Sequence, residues 1–225
     1  MKPSAHASAI AAIFLLFISN PAVAQTPLEL ASQLKEWRAV CTDPDPDVQV
    51  GGMLAALNEG DQTIIRVCAG AGLNSDNPDM RNLSLRAVLA SLEQIRFGTD
   101  MPPELAAAYE ATGSDQAKRA ELDQTRVASM VRGLAGGVAF HIQELSIESG
   151  SADWYSITNR DDVDERYRGR MTLMAETISW EGRVVVFPGT YDVCALSASL
   201  TDDAMLAGTL KCGQMEPLPI KVELL

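Results

Sequence analysis

The sequence predicts an α+β protein, with a helical N-terminal region followed by an antiparallel β meander that forms a small barrel or a sandwich. Three observations predict it. Residues 25–132 hold 15 Ala and three aromatics, whereas residues 133–225 hold eight Ala and seven aromatics with many Thr, Val and Ile, a shift from helix-forming to strand-forming usage. The first region carries helix-start signatures, an N-cap residue followed by Pro. The second alternates apolar and polar residues between turn signals. With 47% apolar residues in a chain of 225, there is enough apolar surface for a packed core.

Residues 1–24 read as a cleaved signal peptide. Lys2 supplies the basic start, Ala9 to Ile18 is an unbroken apolar run, and Ala22-Val23-Ala24 is a small-x-small cleavage site. The run reaches only about half of the ~20 residues a membrane-spanning helix needs. The expected product is a periplasmic or secreted protein, exported by the general route because no twin Arg precedes the run. It carries 17 basic and 30 acidic side chains, a net charge of −13, and that field repels nucleic-acid backbones and anionic lipid. His141 is then the sole imidazole. Two-His metal motifs are thereby excluded, and no cofactor motif is found.

Export places the four cysteines where thiols oxidise. Their positions favour the pairs Cys41–Cys68 and Cys194–Cys212, one in each region. Each closed loop stabilises the fold by about 3 to 4 kcal/mol in the chain-entropy picture.

The expected helical domain covers residues 25–112. Asp45-Pro46-Asp47 opens an apolar stretch from Val50 to Leu57, and Asn77-Pro78-Asp79 opens a matching stretch from Leu83 to Leu92. In each, a capping side chain precedes Pro at the first helical position and an acid facing the helix dipole. Between them Asp61 caps a helix carrying Ile64, Ile65, Val67, Cys68 and Ala71. Over residues 28–96 this pattern resembles HEAT-type helical repeats. The resemblance implies a scaffold that holds partner proteins, not a catalyst. Asp43, Asp45 and Asp47 mimic the spacing of a calcium loop, but Val48 stands where that loop needs Gly and Leu54 where it needs Glu. Capping explains Asp45 and Asp47 without an ion.

A further helix is expected from Glu104 to Ala111. Residues 113–137 then form an exposed connecting helix with a sparse apolar stripe of Leu122, Val127, Met130 and Val131, ending in the Gly-rich linker Gly133 to Gly137.

The β domain is expected over residues 138–225. Strands are placed near Val138–Ile147, Trp154–Thr158, Arg168–Trp180, Arg183–Phe187, Tyr191–Leu200, Met205–Cys212 and Leu218–Leu224, with turns at Glu181-Gly182, Pro188-Gly189 and Thr201 to Ala204. One hairpin tests itself. If Leu200 pairs with Leu206, then Ala198 meets Gly208, Leu196 meets Leu210 and Cys194 meets Cys212 on one apolar face, while Ser197, Ser199, Thr209 and Lys211 share the other. A slip of one residue destroys both faces and the disulfide together.

Candidate functional residues are few, and none is assigned a catalytic, cofactor or metal role. His141 lies opposite the alternation of Val138, Phe140 and Ile142, which puts it on a solvated face. Asp161, Asp162 and Asp164 belong to a segment dense in both charges, a solvated loop with local ion pairs. Trp154, Tyr155 and Tyr167 are candidates for a stacking surface for sugar or peptide, and Trp180 joins them if that surface exists, although aromatics in a small β domain belong more often to its core. No G-x-S-x-G nucleophile elbow occurs.

The sequence therefore points to a soluble exported binding or assembly module, whose partner is an envelope protein or a cell-wall component. One competing reading is a hydrolase using carboxylates of Asp161 to Glu165, with or without His141. Another is a barrel holding a small apolar ligand, which requires an interior its own side chains leave empty.

Overall fold

The computed structural model describes residues 26–157, 163–187 and 189–224; the expected signal peptide, Asp161 and Asp162 lie outside them. Four helices come first: α1 (Pro27–Cys41), α2 (Pro46–Glu59), α3 (Gln62–Leu73) and α4 (Pro78–Ala90). Their starts are set chemically. Thr26 and Glu29 form a reciprocal capping box on α1, and the side chains of Asp45, Asp61 and Asn77 accept from the first backbone amides of α2, α3 and α4. Helices α3 and α4 cross at a very short distance. A Cβ on Gly72 would stand 1.9 Å from Ser84 Oγ, so the absence of a side chain at Gly72 sets that approach. Helix α1 lies at the edge of the array with only Cys41 buried. The Cys41–Cys68 disulfide joins it to α3, as the sequence predicts.

The β region is a closed eight-stranded antiparallel barrel, which decides between barrel and sandwich. Its strands are β1 (Gln94–Thr99), β2 (Val138–Ser146), β3 (Ser151–Ile157), β4 (Arg168–Met174), β5 (Thr177–Phe187), β6 (Thr190–Leu200), β7 (Met205–Cys212) and β8 (Leu218–Glu223). Each pairs with the next, and β1 closes the ring by pairing with both β2 and β8. The sequence reading has no strand at Gln94–Thr99. That strand follows α4 directly, and α5 (Pro103–Thr112), α6 (Gln116–Asp123) and α7 (Arg126–Gly133) are inserted between it and β2. The expected single connecting helix is thus two, separated at Gln124-Thr125.

The hairpin between β6 and β7 has the expected register throughout, from Leu200 opposite Leu206 to Cys194 opposite Cys212, and the second disulfide closes across it. The turn expected at Glu181-Gly182 is not there. Both residues lie inside β5, and the chain turns instead at Ala175-Glu176. Gly182 serves the core rather than a turn, because a Cβ there would stand 2.4 Å from the Trp180 indole.

Side chains fill the barrel. Phe97, Phe140, Trp154 and Trp180 point inward and are at most 2% exposed. Phe140 is the hub: its ring lies 4.7 Å from that of Trp180, 5.5 Å from Trp154 and 6.1 Å from Phe97, distances typical of favourable aromatic pairs. Trp180 Nε1 also donates to the Trp154 carbonyl at 3.1 Å. One apolar cluster runs without interruption from Met53, Ile64 and Leu85 of the helices into this interior.

Helix α4 clasps one end of the barrel through polar groups. Arg86 donates to the Ile147 and Glu148 carbonyls, Asn82 to the Ala175 carbonyl, and Arg81 pairs with Glu176 and Asp202. These contacts fall on the β2–β3, β4–β5 and β6–β7 turns. At the other end, Met130 of α7 and the following Leu134 join the core, while Thr99 and Arg96 of β1 donate to the Leu134 and Gly136 carbonyls.

Candidate functional site

Because the interior is full, the groups available for chemistry lie on the outer wall, where β2, β3, β4 and β5 run side by side. Strand alternation places every second residue there. Two cross-strand rows result. One reads Gln94, His141, Tyr155, Arg168 across β1 to β4, and the next reads Gln143, Asp153, Arg170, Glu181 across β2 to β5.

The single-turn 3-10 helix η1 (Glu165–Tyr167) lies against this wall. Asp164 caps it, accepting from the Arg166 amide at 2.9 Å and pairing with the Arg166 guanidinium. Those contacts hold the Asp164 carboxyl below the usual carboxylate range. Glu165 reaches the Tyr155 hydroxyl at 3.1 Å, and Gln143 Oε1 lies 2.9 Å from the same hydroxyl. Arg168 draws Asp153 and Glu165 together on one guanidinium. Burial, followed by the bond to Glu165, raises the Tyr155 phenol above its ordinary value.

Gln143, Asp153, Tyr155, Glu165, Arg168 and Arg170 line a cleft of about 390 Å³. Its rim contains the bulge in β2, where pairing shifts between Gln143 and Ser146 and Glu144 adopts a positive φ of 36°. Bulges of this kind re-aim side chains at strand edges and sites.

The residues singled out in the sequence separate into three groups. His141, Tyr155, Asp164 and Tyr167 come to or beside this wall, with the His141 ring 6.4 Å from that of Tyr155. Tyr155 faces outward but is covered, at 2% exposure. Trp154 is not a surface residue; it points into the barrel and is fully buried, because its neighbour Tyr155 takes the outward position. Asp161 and Asp162 fall outside the described residues. Gln143 shares the outward face that the strand alternation gives His141, whereas Glu144, Arg170 and Arg183 are not among the residues the sequence singles out. The alternation of Arg168, Arg170 and Thr172 against buried Gly169, Met171 and Leu173 is the signal that points to Arg170.

Chemically, the cleft is a lattice of hydrogen bonds and ion pairs. Two-carboxylate hydrolysis of the glycosidase kind uses an acid and a base held in different environments. Here Asp153 and Glu165 share one arginine, and Asp164 sits on another. Among the described residues, His141 makes no hydrogen bond to a carboxylate, and no group of three or more His, Cys, Asp or Glu is arranged to hold a metal ion. No protein-family model, curated protein or solved structure matches the chain.

Proposed function

We propose that the protein is an exported, non-catalytic binding or assembly module, in which the helical array and the outer barrel wall present a composite surface to another envelope protein or to a cell-wall component. The observation that carries this reading is the filled barrel: Phe97, Phe140, Trp154 and Trp180 occupy the space a small ligand would need, which leaves the exterior to do the recognition. Two disulfides and the absence, among the described residues, of any helix long and apolar enough to cross a membrane fit the export that Lys2 to Ala24 suggest. The likeness of residues 28–96 to HEAT-type repeats supports a scaffolding role for α1 to α4.

Mild cross-linking in the native envelope followed by purification tests the reading. A reproducible cross-linked partner is expected, and recovery of a lone monomer would contradict it. The hydrolase reading draws on carboxylates of Asp161 to Glu165, with or without His141, and of these Asp164 and Glu165 lie at this wall. Single replacements of Asp161, Asp162, Asp164, Glu165 and His141 that leave any measured hydrolysis intact would dismiss it.

A further inference from the structure

Beside the cleft, and sharing Arg168 and Arg170 with it, runs a second groove of about 540 Å³ on the same wall, lined by Arg166, Arg168, Arg170, Arg183, Glu181 and Val193, among others. Four guanidinium groups converge here in a chain of net charge −12 with only 18 Lys and Arg in all. They are not equivalent. Arg166 is held by Asp164, and Arg168 by Asp153 and Glu165. Arg170 and Arg183 are exposed and make no ion pair among the described residues. Of the two acids flanking Arg170 across the sheet, Asp153 is turned to Arg168, and Glu181 stands on the other side.

The arrangement works against stability. Arg168 and Arg183 each lie two residues beyond the Arg170–Glu181 pair, on adjoining strands, and like charges so placed repel. Arg183 is nonetheless oriented, with its guanidinium 5.0 Å from the centroid of the Tyr191 ring, a favourable stacking contact. Tyr191 and Val193 are 54% and 51% exposed and give the groove an apolar rim.

We propose that this groove binds a carboxylate-bearing peptide segment of the partner, with Arg170 and Arg183 as the forks that take its carboxylates. This rests on the binding-module reading and names the partner's chemistry. A guanidinium matches a carboxylate through two parallel N–H donors. A polyphosphate gains little here, because Asp153, Asp164, Glu165 and Glu181 are interleaved with the four arginines and cancel the long-range attraction a polyanion needs. An acidic peptide brings single carboxylates at short range and apolar side chains for Tyr191 and Val193.

Isothermal titration of the intact, disulfide-bonded protein tests this, using a short synthetic peptide that carries two Glu beside Leu and Val, its counterpart with Gln at the Glu positions, and inorganic phosphate as competitor. The Glu peptide is expected to bind, the Gln peptide not to, and phosphate not to displace it. Arg170→Ala and Arg183→Ala should each weaken binding about tenfold, with far-ultraviolet circular dichroism and the urea midpoint little changed because both side chains are exposed. Absence of binding, equal binding of the Gln peptide, displacement by phosphate, or unchanged affinity in both variants would overturn the proposal. The two levels separate cleanly. If the R170A/R183A double variant still captures the partner that the native protein cross-links, the groove assignment falls and the module reading stands; if the native protein captures none, the module reading itself falls.

Discussion

Gly169 and Gly182 lie on β4 and β5 against the Trp180 indole, and an added Cβ on either would come within 2.4 Å of one of its ring atoms. The ring is buried and hydrogen-bonded to the Trp154 carbonyl, so it has little room to yield. Gly182→Ala should therefore destabilise the protein by about 1–3 kcal/mol through overpacking, read as a lower urea midpoint with unchanged slope. Tyr155 makes a different kind of prediction. Its phenol is raised by burial and by Glu165, and Tyr109 is raised chiefly by its hydrogen bond to Asp123. A group whose folded proton affinity exceeds its unfolded one supports the fold fully below the unfolded value, here 10.0, and loses that support as pH climbs through the folded value. Ultraviolet titration of the four tyrosines should show late-ionising phenols, and Tyr155→Phe should remove one. An unchanged late step in that variant would refute the assignment.

At the scale of elements, legibility followed locality. The β6–β7 hairpin is readable because one register satisfies an apolar face, a polar face and two cysteines at once, and the structure keeps that register. Strand β1 is not readable: only Ile95 and Phe97 of its six residues face inward, and its partners come from β2 and from β8 at the other end of the chain. The β4–β5 turn is hidden for another reason. It uses Ala175 at a φ of 51°, where the sequence offers no Gly or Asn to announce it, and misplacing that turn scrambles the register that brings Arg170 and Arg183 into one groove. A left-handed Ala costs about 1 kcal/mol relative to Gly, so Ala175→Gly should raise thermal stability or leave it unchanged. A clear loss would contradict the turn geometry. Peptide mapping without reduction should recover Cys41 linked to Cys68 and Cys194 linked to Cys212; a bridge between the helices and the barrel would contradict both elements.

At the scale of the whole molecule, the expected division into a helical domain and a β domain meets one continuous apolar core and the polar clasp of Arg81, Asn82 and Arg86 on the barrel turns. A shared core of this kind predicts that helices and barrel unfold as a single cooperative unit, so that the composite surface proposed above would keep a fixed geometry. Replacing Trp37 of α1 by Phe leaves Trp154 and Trp180, both inside the barrel, as the only indoles, so fluorescence follows the barrel while far-ultraviolet circular dichroism follows the helices. Urea unfolding of Trp37→Phe, recorded by both signals, is the most direct test that the array and the barrel are one body. Coincident transitions with one midpoint are expected; two separated midpoints would contradict it.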